Sequence, residues 1–260
     1  MADTKLKIDQ RRSRILDQLK RDGKVSVAQL ARSLGVTTVT IRYDLDTLEK
    51  EGHLERINGG AVLGNGLRPL AGQLEPQEIE LRERKLAVAK AVARMVSSGD
   101  TVFINSGGTA MLTAEYLCKM HAGLNVVTNS VAVAAALADA HSFRVVMLGG
   151  ELNTQYGFTH GSDAQDKLRN YHADFAILSV DGISSRGGVT TYHHEEAIID
   201  RIMINGANRV IIAADSSKIG RAGFMRVYDP TAELTLVTNS DAEETELDRL
   251  KECGVTVVTV

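Results

Sequence analysis

The sequence predicts an α/β protein in two parts: a small N-terminal module of three helices and a β-wing, then a larger domain built on a mainly parallel sheet. Three observations predict it. Residues 8–51 carry three short stretches with helical apolar periodicity, closed by Gly23, Gly35 and Gly52, and an Asn58-Gly59 hairpin signal follows. From Thr101 onward, seven short β-rich runs alternate with helical segments, the pattern of an α/β sheet. Between the parts lies LGNGLRPLAGQLEP, residues 63–76, with three Gly and two of the three Pro in the chain and no periodicity, which reads as a linker.

In the first part, Ile8, Ile15, Leu16 and Leu19 give the apolar stripe of a helix over about residues 8–21. Val25-Ser26-Val27 is a short extended link. Val27, Leu30, Ala31 and Leu34 make a second helix. Gly35 supplies a tight turn, and Thr37 is placed to cap a third helix from Thr38 to Glu51, whose Ile41, Leu45 and Leu48 face the core. His53–Ile57, the Asn58-Gly59-Gly60 turn and Ala61-Val62 form the wing.

A helix of this kind enters the major groove of double-stranded DNA with its N-terminal residues at the base edges. Thr37, Thr38, Thr40, Arg42 and Tyr43 are the candidate contacts. Short hydroxyls permit close approach, and an arginine can take both acceptors of guanine or pair with a phosphate. Arg56 on the wing is expected on the phosphate backbone, where it would set register. Charge agrees in sign. Residues 1–62 carry a net +3, and the remainder −6, which suits a DNA-binding head on an acidic sensing body.

Other classes recede on composition. No apolar run approaches the roughly 18 residues of a membrane span, and the N-terminus has no apolar h-region, so a cytoplasmic protein without membrane contact is expected. Cys118 and Cys253 form no ligand pattern and read as small apolar residues. Adjacent His193 and His194 would point to opposite faces of a strand, or about 100° apart on a helix. Both ligating one ion is therefore awkward, and neither metal nor cofactor is expected.

The helix over about Pro76–Val96 is charged, with Ile79, Leu86, Val88, Ala91, Val92 and Met95 as its apolar positions. It can pack on the body or on a partner subunit and carry a signal to the head. The strand candidates of the body are Thr101–Ile104, Asn125–Thr128, Arg144–Leu148, Phe175–Val180, Val210–Ala213, Leu234–Val237 and Val255–Val260. Helical segments fall at 109–120, 130–139, 162–170, 194–207 and 243–252.

Ligands bind at the carboxyl ends of such strands, which selects the residues just after them. Asn105-Ser106-Gly107-Gly108-Thr109 opens a helix and suits a phosphate. Thr128-Asn129-Ser130 is a second polar turn, and Gly149-Gly150 a third. Asp181-Gly182 can accept from sugar hydroxyls, and Lys218, after Asp215-Ser216-Ser217, can pair with a phosphate.

Both parts resemble one family. VSVAQLARSLGVTTVTIRYDLDTLEKEGHLERINGGAV is similar to the head of DeoR-family bacterial transcriptional regulators. VFINSGGTAMLTAEYL, VVTNS, MLGGELN, ADFAILSVDGIS, GGVTTYHHEEAIIDRIM and VIIAADSSKIGR resemble successive motifs of the family's sensor domain. The resemblance implies a sensor similar in fold to ribose-5-phosphate isomerase, a phosphorylated sugar as effector and repression of a sugar-catabolic operon. It places the phosphate loop on Ser106, Gly107, Gly108 and Thr109, with further ligand positions at Asn129, Asp181, Gly182 and Lys218, and an acidic position at Glu196. The chain departs from the family pattern at Tyr43, where a second basic residue is common, at Asn105 and Gly108 in the loop, and at His193, where Asn is common. His193 is expected to hydrogen-bond the effector, and Asn105 to stand beside it.

An isomerase carrying a DNA head is the competing class. Isomerisation needs a carboxylate base beside the substrate carbon, and Asp181, Glu195 and Glu196 are available. The Ile183-Ser184-Ser185 that follows Asp181-Gly182 lacks the further acidic residues that isomerases of similar fold carry there. A regulator that is not an enzyme is therefore expected. Because paired heads raise effective concentration on repeated half-sites, it is expected to work as a homodimer or homotetramer.

Overall fold

The computed structural model describes residues 2–50, 54–57, 59–62 and 76–260. The chain divides into two compact units at about Gly66. Of the linker expected over residues 63–76, Pro76 opens a helix; residues 63–75, the expected helix end at Glu51 and Gly52, and the wing residues His53 and Asn58 lie outside the described residues.

The first unit contains α1 (Ala2–Asp22), β1 (Lys24–Ser26), α2 (Val27–Leu34), α3 (Thr38–Lys50), β2 (Glu55–Ile57) and β3 (Gly60–Val62). Helix α1 begins before the expected residue 8 because Ala2–Lys7 contains no helix breaker. Helix α2 ends where Gly35 adopts φ 65° and donates its N–H to Ala31, a left-handed cap that glycine adopts without strain. Ile15, Leu19, Leu30, Ile41 and Leu45 are fully buried in the shared core.

The expected extended link is a strand. β1 pairs with β3, and β3 with β2, so the wing is a three-stranded sheet. The middle strand needs Gly60, since a Cβ there would lie 2.0 Å from the Val25 carbonyl oxygen.

The second unit opens with α4 (Pro76–Ala93), followed by β4 (Thr101–Ile104), α5 (Gly108–Met120), β5 (Asn125–Thr128), α6 (Val131–Ala136) and β6 (Arg144–Met147). A hairpin, β7 (Glu151–Asn153) and β8 (Phe158–His160), leads to α7 (Ser162–Leu168) and β9 (Ala173–Leu178). Then come β10 (Gly182–Ser184), β11 (Gly188–Thr191), α8 (His194–Asn205), β12 (Ala207–Ala213), a 3-10 turn at Ser216–Lys218 and β13 (Met225–Tyr228). β14 (Leu234–Thr238), α9 (Glu244–Glu252) and β15 (Thr256–Thr259) complete it.

Seven strands form one sheet in the order β15-β14-β12-β9-β4-β5-β6, every pair parallel. These are the seven strands expected from the sequence. Alternate residues pack on opposite faces. Val102, Ile104, Phe175 and Ile177 meet α4, α5 and α6, while Phe103, Ala176, Leu178 and Ile212 meet α7, α8 and α9. The chain runs outward from β4 through β5 to β6, then returns to the other side of β4 with β9. The carboxyl ends of β4 and β9 therefore flank the topological switch point, where open α/β sheets hold their ligands. The three-stranded antiparallel sheet β10-β11-β13 was not foreseen.

Candidate DNA-reading face and sensor crevice

Helix α3 is built to present one face. Thr37 caps it, its Oγ1 accepting from Thr40 N at 3.1 Å and lying 2.9 Å from Thr40 Oγ1. Asp44 is fully buried on the opposite side. Arg11 grips it in a bidentate pair (Nε to Oδ2 2.5 Å, Nη2 to Oδ1 3.0 Å), and Arg12 adds a third bond at 3.3 Å. The bond to Asp44 holds the Arg11 guanidinium above its ordinary range. A buried carboxylate needs such pairing, and here it ties α1 to α3.

The outward face carries Thr38, Val39, Arg42 and Tyr43, all exposed, with Val39 at 70% and Tyr43 at 69%. Sequence reasoning missed Val39. An exposed Val two residues into a capped helix was the available signal, since its methyls can meet a thymine methyl.

Arg56, expected on the phosphate backbone, also makes bonds within the head. Its Nε donates to Gly60 O at 3.1 Å, its Nη1 to Arg42 O at 3.2 Å and to Asp46 Oδ1, and its N–H to Glu49 Oε1 at 2.9 Å. Arg56 thus braces the wing against the reading helix.

In the second unit the loops at the switch point are tied to one another. Gly107, at φ 124°, precedes α5, and a Cβ there would lie 2.7 Å from Ser179 Cβ. Asn105 reaches across the same junction. Its Nδ2 donates to Ser179 O (2.9 Å) and Asp200 Oδ1 (3.0 Å), and its Oδ1 accepts from Ser179 N (2.8 Å). With both amide hydrogens engaged and no exposure, Asn105 positions the loop instead of standing at a ligand. Gly182 is likewise internal, because a Cβ there would lie 2.5 Å from Arg221 O.

Ser106, Thr109, Asp181, Glu196 and Lys218 do come together around this junction. Ser106 Oγ donates to Glu196 Oε1 at 2.5 Å, and Thr191 Oγ1 lies 2.5 Å from Glu196 Oε2 and 3.0 Å from Asp181 Oδ2. Tyr192 N also donates to Asp181 Oδ2, at 3.0 Å. Burial and then Asp181 raise the Glu196 carboxyl above its ordinary range. One helical turn on, burial and then Glu196 push Asp200 well above the usual carboxylate range, against the Asn105 hydrogen bond.

A cation that sequence reasoning missed completes the group. Lys85, on α4, brings its Nζ within 3.4 Å of where a Cβ on Gly108 would stand. Burial lowers its ammonium below the ordinary range, Asp215 and Asp181 oppose that, and Lys218 adds to it. Lys85 is held there by its neighbour. Arg84 bonds Ser216 Oγ (3.2 Å) and Asp241 (2.9 Å), and its carbonyl accepts from Asn239 Nδ2 (3.0 Å). The Lys85 ammonium thus meets the N-terminus of a 13-residue helix, with Lys218 near enough to act on it, an arrangement that attracts an anion. No sequence period singles out Lys85 on a charged helix.

Residues 80–258 match the DeoR C terminal sensor domain, and residues 11–65 the DeoR-like helix-turn-helix domain. The chain belongs to the DeoR family. Relatives of this DeoR-family chain extend over nearly its whole length. A protein of Escherichia coli O157:H7, provisionally named aga operon transcriptional repressor, is 34% identical over 96% of this chain and 93% of its own. The HTH-type transcriptional repressor GlcR of Bacillus subtilis (strain 168) is 31% identical over 93% of this chain and 92% of its own. The glycerol-3-phosphate regulon repressor of Escherichia coli (strain K12) is 32% identical over 85% and 87%.

This DeoR-family chain is a DNA-binding transcriptional regulator, not an enzyme. Among solved structures, ribose 5-phosphate isomerase A from Methanocaldococcus jannaschii is similar over 52% of this chain and 53% of that one, at 18% identity and TM-score 0.39. Nothing about activity follows from that likeness.

Proposed function

We propose that this regulator is a cytoplasmic repressor of genes for sugar uptake or catabolism, released from its operator by a phosphorylated sugar. The carrying observation is the Lys85 ammonium set against the start of α5 at the switch point, with Lys218 close enough to influence it. Two cations beside a helix N-terminus favour a dianion. Ser106, Thr109 and the backbone of Gly107 and Gly108 surround the phosphate, and Asp181 and Glu196 accept from sugar hydroxyls. In the head, Thr38, Val39, Arg42 and Tyr43 face the bases, while Thr37 and Arg56 hold the helix and wing in register. No helix among the described residues is long and apolar enough to cross a membrane.

Lys85 also suggests how the signal leaves the site, for α4 is the first described element after the head. A ligand drawn to Lys85 acts directly on the helix that follows residues 63–75 in the chain. Release requires that the ligand bind one arrangement of heads better than the other. Two heads on a homodimer or homotetramer supply those arrangements.

The test is a thermal-shift screen against sugar phosphates and the matching free sugars, since a ligand of the folded state raises the melting temperature. A rise with one phosphorylated sugar and not with its free form is expected, together with loss of operator binding on adding that sugar phosphate. No shift with any member of the panel would remove the sensor reading.

A further inference from the structure

The β7–β8 hairpin lies across the carboxyl end of β5. Val131 N donates to Gly157 O at 2.8 Å, Thr159 N to Asn129 O at 2.8 Å, and Asn129 Nδ2 to Thr159 O at 3.2 Å. Its turn is fixed from within, Asn153 Oδ1 accepting from both Gln155 N and Tyr156 N at 3.1 Å. From this turn the Tyr156 ring reaches His193, with centroids 4.4 Å apart. His193 is the N-cap residue of α8, whose first turn carries Glu196 against Ser106. The hairpin therefore forms a wall beside the sensor crevice.

Two polar atoms in this wall are buried without a protein partner: Tyr156 Oη and Asn129 Oδ1. Buried polar atoms are nearly always paired, and leaving one unpaired is unfavourable. Asn129 ends β5, the neighbour of β4, whose carboxyl end leads into the Gly107-Gly108 loop beside Lys85. A phosphate held at that loop leaves the sugar it carries about one strand spacing, roughly 5 Å, from the end of β5.

We propose that Tyr156 and Asn129 form the sugar-reading subsite of the crevice, and that Tyr156 is its specificity-determining residue. The Tyr156 and His193 rings offer an apolar wall to the C–H face of a cyclic sugar. Tyr156 Oη and Asn129 Oδ1 then exchange hydrogen bonds with its hydroxyls, and Asn129 Oδ1, an acceptor only, demands a donor there. The proposal rests on the sugar-phosphate reading above and assigns the other end of the same ligand.

The test titrates the full-length wild type and Tyr156→Phe with inorganic phosphate, glucose 6-phosphate, galactose 6-phosphate and fructose 6-phosphate. At least one sugar phosphate should bind the wild type more tightly than inorganic phosphate. Tyr156→Phe should weaken that ligand about tenfold, the size of one lost hydrogen bond, and leave inorganic phosphate unchanged. His193→Asn, which removes the ring beneath Tyr156, should weaken the same ligand and likewise spare inorganic phosphate. Equal affinities of wild type and Tyr156→Phe for every sugar phosphate would overturn the subsite while the sensor reading stood. So would a wild type that binds no sugar phosphate better than phosphate itself. A wild type that binds neither phosphate nor any sugar phosphate would overturn both.

Discussion

At the scale of single residues, Lys85 and Asp200 show how burial decides charge. Lys85 is held against the start of α5 with its ammonium lowered by desolvation, so a phosphate would restore the charge that burial disfavours. Lys85→Met should weaken effector binding by about 10- to 100-fold, the size of a charge-assisted hydrogen bond of about 1.5–3 kcal/mol. Operator binding without effector should persist, so the variant should repress without release. A gel-shift titration with added effector checks this, and a Lys85→Met protein released at the wild-type concentration would deny Lys85 its role.

Asp200 carries a different prediction. Its carboxyl is raised by burial and by Glu196, so the folded state favours the protonated acid. The associated stability is present below the unfolded pKa of about 3.9 and is lost as pH rises through the higher folded value. Asp200→Asn keeps an acceptor for Asn105 and removes the ionisation. Its melting temperature relative to wild type should therefore be more favourable at pH 8 than at pH 5. A difference that does not change with pH would show that Asp200 ionises without penalty.

At the scale of elements, two junctions control the chemistry. The β4–α5 turn closes on β9 only because Gly107 has no side chain: at φ 124° a Cβ would strike Ser179. Gly107→Ala should destabilise the domain by about 1–3 kcal/mol and disturb the loop proposed to hold the phosphate. Chemical denaturation and effector titration would each read it, and a fully stable, fully responsive variant would mean the loop can move aside.

In the head, the corresponding junction is Arg56, which joins wing to reading helix through Gly60, Arg42 and Asp46. Arg56→Ala should lower operator affinity while changing the salt dependence less than Arg42→Ala does. A brace contributes geometry, whereas a phosphate contact releases counterions. Equal loss of salt slope in the two variants would place Arg56 on the DNA backbone after all.

At the scale of the whole molecule, a head that binds DNA and a body that binds an effector must be linked in both directions. If effector lowers operator affinity by some factor, operator lowers effector affinity by the same factor. Calorimetric titration of effector with and without operator DNA should return that equality. Unchanged effector affinity on DNA would mean that the crevice does not control release.

Much of this was legible in the chain because local chemistry enforces it. The seven parallel strands are short apolar runs bounded by polar turns, and a strand buried on both faces can hardly be written otherwise. Gly35 and Thr37 announce the turn and cap of α3 in the residue types that those backbone positions demand. The small antiparallel sheet escaped notice because its strands are three or four residues long, and β11 finds β13 only after a helix and a parallel strand intervene.

The sequence by itself therefore determined the two-part architecture, the reading helix, the order of alternating elements and the loops that face the crevice, each dictated by neighbours within a few residues. Only the tertiary structure decided which polar residues remain available. It engaged Asn105, Gly182 and Arg56 internally, brought Lys85 from another helix to Gly108, and set Tyr156 over His193. Those outcomes depend on contacts between residues distant in sequence, where burial and the demand for hydrogen-bond partners act, and no local pattern records them.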